Sequence, residues 1–160
     1  EYGLKADSLY QHHGDAEMAQ YGAHPNIHFF RPDATYGKTL EYDLIRENVG
    51  CDSLITDSVK NKNELRRLMS EQNIDTMLDT ILRKSDENMR IKYSIRACGW
   101  GDEEKRKAII ASRYLNSVSK GANALELNVA LEENLKKAPA DRFEFHVPQY
   151  IEEALRWLLS

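Results

Sequence analysis

Gly37-Lys38-Thr39-Leu40-Glu41-Tyr42-Asp43-Leu44 decides how the chain is read. It follows a short apolar run, Ile27-His28-Phe29-Phe30, and a loop built on Arg31-Pro32-Asp33. Leu40, Leu44 and Ile45 are spaced like the inner face of a helix that starts here. Thr39 can cap that helix and Gly50 can end it. Glu41 and Asp43 place two carboxylates in its first turn, where the helix dipole favours negative charge. Carboxylates at such a place can also hold a hard divalent cation such as magnesium, which takes oxygen ligands. On a helix, residues 39 and 43 share a face while 41 points elsewhere, so Glu41 and Asp43 chelate one ion together only where the segment is not helical. Gly37-Lys38-Thr39 has the residue types of a phosphate loop. The glycine that loop needs five positions before Gly37 is replaced by Pro32, whose ring and missing N–H spoil the cradle.

Upstream, residues 26–31 read as a buried strand fenced by Pro25 and Pro32. Residues 4–22 carry Leu4, Leu9, Tyr10, Met18, Ala19 and Tyr21 in a loose helical pattern that Gly14 interrupts. His12, His13, His24 and His28 are either exposed histidines or an imidazole cluster for a metal.

Downstream, residues 51–57 read as strand or turn. From Asn61 the spacing predicts helices, with Asn63 and Asp75 as caps and Leu65, Leu68, Met69, Ile74, Met77, Leu78, Ile81 and Leu82 as apolar faces. Lys84 to Asn88 is a polar break, and Ile91, Ile95 and Cys98 resume a helical face. Gly99-Trp100-Gly101 is a turn. Asp102 then caps a helix through Ala108, Ile109, Ala111, Tyr114, Leu115 and Val118, with Glu103 and Glu104 in its first turn. After Ser119-Lys120-Gly121, a further helix carries Leu125, Leu127, Val129, Leu131 and Leu135 and ends at Lys136-Lys137 before Pro139. Phe143, Phe145 and Val147 alternate with Glu144 and His146 as a second strand. Pro148 opens a last helix with Ile151, Ala154, Leu155, Leu158 and Leu159 on its apolar face. Two strands so far apart make a marginal sheet, so they are expected to join strands outside this chain.

At 160 residues, 41% hydrophobic and 30% charged, the chain has the size and balance of one soluble domain. Its net charge of −4 gives no global support for binding DNA through the phosphate backbone, so any DNA contact must come from a local patch or from other parts of the protein. A transmembrane segment is excluded by the lack of a long apolar stretch. Residue 1 opens no signal peptide, and Glu1-Tyr2-Gly3 lacks an initiator Met, so the chain reads as a piece of a larger protein. Cys51 and Cys98 make no metal spacing, and a reduced, cytoplasmic setting is expected. Trp100 and Trp157 are expected in the core or an interface.

Lys38-Thr39-Leu40-Glu41-Tyr42-Asp43-Leu44 resembles the KTLEYDL signature in the Toprim half of the OLD (overcoming lysogenization defect) family of ATP-dependent endonucleases. A second stretch, Ser119-Lys120-Gly121 followed by Phe145-x-Val147-Pro148-x-Tyr150-Ile151-x-x-Ala154, resembles the family's closing pattern, in the family's order. The resemblance implies an α/β, helix-rich, partial Toprim-like fold, a small mostly parallel sheet flanked by helices. Residues 1–49 and 119–160 would be the Toprim-like portions and residues 50–118 a helical insertion. It further implies hydrolysis of DNA phosphodiester bonds with Mg2+ or Mn2+, a homodimer or higher oligomer, an upstream ABC-type ATPase domain that uses ATP, and in several members defence against phage. By the resemblance Glu41 ligates metal, Thr39 and Asp43 support it, and Lys120 stabilises charge on the scissile phosphate. A cation at a helix start is disfavoured by the dipole, but an anion held there would suit both the lysine and the free amides. Asn123 and Leu125 depart from the family, which often has an aromatic residue and a glutamine there. Nor does the chain contain the Asp-x-Asp pair that the family uses together with an upstream glutamate, so a two-metal site would be completed from outside it. Arg31, Lys38, Arg113 and Lys120 are candidate phosphate contacts. The rival readings are a non-catalytic helical interaction or dimerisation module, and a nucleotide-binding domain built on Gly37-Lys38-Thr39.

Overall fold

The computed structural model describes residues 8–81 and 86–160. Wherever apolar residues recur at three and four, a helix forms: α1 (Ser8–Tyr21), α2 (Leu40–Glu47), α3 (Lys62–Ser70), α4 (Ile74–Thr80), α5 (Asp86–Ala97), α6 (Asp102–Leu115), α7 (Lys120–Lys136) and α8 (Gln149–Leu158). Short 3-10 turns lie at Asp52–Leu54 and Pro139–Asp141. Helix α6 is the axis, buried continuously from Ala108 to Tyr114, and α2, α3, α4 and α5 pack against it. A helix buried on all sides is an inner helix. Tyr42, Ile45, Leu65, Leu68, Met77, Ile91, Ile95 and Ile109 form the core around it. Each fully buried aliphatic side chain contributes roughly 1.5–3 kcal/mol. Residues of the expected insertion thus share one core with α2.

Several helix starts differ from expectation. Thr39 caps α2 as expected. Helix α4 is capped by Asn73 rather than Asp75, its Oδ1 accepting from the Thr76 N–H at 2.9 Å. Asn61, at φ 55°, precedes α3, and Asn63 lies inside that helix. Asp102 is the first residue of α6 rather than its cap. Helix α1 runs through Gly14, because a single glycine costs a helix only about 1 kcal/mol. Leu4 and Leu82, and most of the polar break from Lys84, fall outside the described residues or their described side chains.

The partial Toprim-like sheet is not present: among the described residues there is no strand. The segment 143–147 has no regular secondary structure, and two asparagine side chains occupy backbone groups within it. Asn134 Nδ2 donates to Phe143 O at 2.9 Å while its Oδ1 accepts from Phe143 N–H at 3.0 Å. Asn48 treats His146 in the same way, with both bonds 2.7 Å. A primary amide carries a donor and an acceptor, so it can substitute for one residue of a neighbouring strand. The alternation of Phe143, Phe145 and Val147 was therefore a false sign of a strand, and Val147 is exposed. Residues 26–31 are not a buried strand either. Ile27 and His28 are exposed, and the segment rests through His28 and Phe30 on Trp157 of α8.

Candidate functional site

Asp33 shapes the loop that delivers Lys38 and Thr39 to α2. Its Oδ1 accepts from the N–H groups of Thr35 and Tyr36, each at 2.8 Å, and the Gly37 N–H donates to its carbonyl at 2.8 Å. A Cβ on Gly37 would stand 2.5 Å from Pro32 Cβ and 2.7 Å from Asp33 backbone atoms, so only glycine lets the loop close this tightly. The phosphate-loop reading already weakened by Pro32 is replaced by this aspartate-centred turn.

The two acids of α2 then part company. Asp43 is buried, and its Oδ1 accepts from the Lys38 N–H at 3.0 Å while Oδ2 has no partner. Burial raises its carboxyl to about 6, against the opposing pulls of the Lys38 N–H and Arg46. Glu41 instead faces α7. Its Oε2 lies 3.8 Å from the Nζ of Lys120, the first residue of that helix. The dipole disfavours a cation at this position, and the carboxylate offsets that. Tyr150, on α8, completes the group. Its phenol is pushed up to about 12, first by burial and then by the Asp43 and Glu41 carboxylates. Thus the KTLEYDL-like segment, the lysine-glycine helix start and the VPxYI-like segment meet at one place.

Asn123 holds α7 in this position. Its side chain is nearly inaccessible, its Nδ2 donates to Thr56 Oγ1 at 3.1 Å, and its Oδ1 lies 3.1 Å from the Tyr114 hydroxyl. Tyr114 is also 3.0 Å from Leu54 O. Burial pushes its phenol up to about 12, so it stays protonated as a donor. Sequence reasoning marked Asn123 only as a departure from a family pattern. A polar residue four positions into a helix, on the face shared with Leu127, was the available signal.

A cleft of about 380 Å3 opens beside Asp43, between the Arg31–Gly37 loop, α2 and the start of α8. Arg46 lines it and is anchored by ion pairs to Glu47, at 2.8 Å, and to Glu104. The other candidates are placed elsewhere. Arg113 is buried and paired with Glu64, which removes it from the phosphate contacts. Arg31 pairs with Asp15 at 2.6 Å and Lys38 lies over the Tyr42 ring. His24 Nδ1 accepts from the Asn26 N–H and His28 stacks on Trp157, while the His12 and His13 side chains lie outside those described.

Glu41, Asp43 and Thr39 do not make a complete cation site. Thr39 Oγ1 is engaged by the Tyr42 N–H, Asp43 Oδ1 by the Lys38 N–H, and Glu41 by Lys120. Among the described residues no three His, Cys, Asp or Glu side chains are grouped to hold a metal. Nor is any helix among them long and apolar enough to cross a membrane. No family model, curated protein or solved structure matches this chain.

Proposed function

We propose that this chain supplies part of the active site of a metal-dependent DNA endonuclease resembling the OLD ATP-dependent enzymes, which hydrolyses phosphodiester bonds in a cytoplasmic setting, with phage defence as one use. The observation that carries the reading is the 3.8 Å approach of Lys120 to Glu41, two residues from separate motifs that the resemblance independently marks as functional. About half of the Lys120 side chain is exposed, so its ammonium can meet a phosphate while Glu41 holds it in place. A positive charge fixed where a phosphorane-like transition state gains negative charge lowers the barrier selectively. Mg2+ or Mn2+ belongs to this reading, with Glu41 as the ligand on this chain and the others supplied from outside it. ATP belongs to a separate ATPase domain and plays no part in the site described.

The test is plasmid cleavage by the full-length protein with magnesium or manganese, comparing wild type with Glu41→Ala and Lys120→Ala. Each variant is expected to lose roughly 100-fold or more of the rate with its circular dichroism unchanged. Undiminished cutting by both folded variants overturns the reading. The 160 residues alone are expected not to cut.

One observation favours the second reading, a helical interaction or dimerisation module. Leu125 on α7 and Leu158 and Leu159 at the end of α8 are at least 70% exposed. Silence of the Glu41 and Lys120 variants, joined with a change of oligomeric mass on Leu125→Asp or Leu158→Asp, would establish it.

A further inference from the structure

Helix α7 leaves two aliphatic side chains uncovered one turn apart, Leu125 at 74% and Val129 at 54% exposure. With Ala130 they floor a groove of about 460 Å3, whose far wall is the loop that follows the 3-10 turn Asp52–Leu54. Every ionisable side chain that lines the groove is a carboxylate: Asp57, Glu126 and Glu133. Glu126 is fixed there. Bonds from the Thr56 hydroxyl and from the Ser58 N–H, the latter 2.8 Å from Oε2, hold its carboxyl below the ordinary value and keep it ionised. Asp57 pairs with Lys62 at 2.7 Å, yet its own side chain is fully exposed, and Lys62 does not line the groove. Glu133 is exposed. Aliphatic side chains a turn apart in a groove are what an amphipathic helix docks on, and a rim of one sign selects the charge of its occupant. The chain's own exposed apolar helix does not fit. Beside Leu155 and Leu158, α8 carries Glu152, Glu153 and a single arginine, Arg156, which is already paired with Glu152. A second copy would bring carboxylates against carboxylates.

We propose that this groove docks an amphipathic helix of a partner protein, one that sets two aliphatic side chains a turn apart on Leu125 and Val129 and carries lysine or arginine beside them for Asp57, Glu126 and Glu133. Burial of the aliphatic side chains supplies the affinity. The charges set the choice of partner and make binding weaken with salt. Neither Glu41 nor Lys120 lines the groove, so the proposal stands apart from the nuclease reading.

The test uses three stapled, fluorescent helical peptides of about 14 residues, since shorter free helices are marginal in water. One carries leucines along one face with lysines beside them. The second replaces the lysines with glutamates, and the third keeps the lysines and replaces the leucines with alanines. Each is titrated into the full-length protein and followed by anisotropy. The leucine–lysine peptide is expected to bind about tenfold or more tighter than either of the others. Leu125→Ser joined with Val129→Ser is expected to weaken it by about tenfold. Glu133→Lys is expected to weaken it several-fold and to strengthen the leucine–glutamate peptide. All three positions are exposed, so circular dichroism is expected to stay unchanged. Equal binding of the alanine–lysine peptide would mean charge attraction without a groove, and equal binding of the glutamate peptide would mean a rim that does not select. Binding untouched by both variants would place it elsewhere on the protein. No binding of any peptide would mean that the groove is already filled or takes no helix. A fall in the oligomeric mass of the peptide-free protein on losing Leu125 and Val129 would show that a second copy covers them. Each of these outcomes overturns the proposal.

Discussion

The layer around α6 and the arm from α7 to the end of α8 are held by different forces. Helix α6 is buried continuously from Ala108 to Tyr114, whereas α8 has no buried residue. Side-chain packing fixes the first region. The second adds only Leu127 to the core and packs Phe145 against it. It is held besides by the amides of Asn48 and Asn134 on the backbone of Phe143 and His146, by Asn123 at the start of α7, and by ring contacts among His28, Phe30 and Trp157. The candidate site sits on the seam. Glu41 and Asp43 come from the packed side, Lys120 and Tyr150 from the tethered side. Packing is non-directional and tolerant, while a hydrogen bond fixes one atom pair. The site's geometry therefore depends on a few asparagines more than on the size of the core.

The contrast sets an order of effects. Leu65→Ala, in the packed region, creates a cavity and is expected to cost about 2–5 kcal/mol in urea denaturation. Leu158→Ala in the arm is expected to stay within about 0.5 kcal/mol, as exposed positions do. Equal losses would mean that the arm is packed as the core is. Asn48→Ala comes next. It removes both bonds to His146 and one to Leu44 O, leaving backbone groups unpaired at a cost of about 1–3 kcal/mol. Faster hydrogen exchange at the His146 amide, with the α6 amides unchanged, is the expected signature. Uniform acceleration everywhere would show that arm and core open together.

Asp43 sharpens the contrast through pH. Its ordinary value is 3.8 and burial holds it at about 6, so the folded state binds this proton more tightly than the unfolded chain. The contribution is fully present below about pH 4 and is lost as pH rises through about 6. Melting temperatures of wild type and Asp43→Asn, followed from pH 4 to pH 8, should show the downward component only in wild type. Parallel curves would mean that Asp43 is not held in a water-poor place.

These effects also mark what the sequence discloses. Helical periodicity reports burial by packing, so α2 to α6 and residues such as Leu65, Ile91 and Ile109 were legible. The resemblance marked Glu41 and Lys120 as separate functional residues, and their approach to 3.8 Å was visible only in the structure. The tethers were not legible. Nothing in a string marks Asn48 and Asn134 as substitutes for a strand, because their partners lie far along the chain or across a turn. Phe143-x-Phe145-x-Val147 alternates whether its backbone meets a strand or two amides. The apolar face of α7 misled for the same reason. Leu125, Val129 and Leu135 recur helically yet are exposed, while Asn123 and Asn134 face inward.

The smallest effect separates two roles for Thr39. As a cap, its Oγ1 accepts from the Tyr42 N–H at 3.4 Å, a long bond, so Thr39→Ala should cost near the low end of the usual range, about 0.5–1 kcal/mol. Thr39→Ser keeps the oxygen and should recover most of that. If Thr39 acts only as a cap, cutting by the alanine variant should fall no further than the loss of folded protein explains. A rate loss of roughly 100-fold at full folding, restored by serine, would instead place this hydroxyl among the groups acting on the phosphate, since only an interaction made in the transition state lowers the rate without lowering stability. Thr39 lies at the N-terminus of α2, on the packed side of the seam, so that outcome would mean the packed region supplies chemistry as well as support.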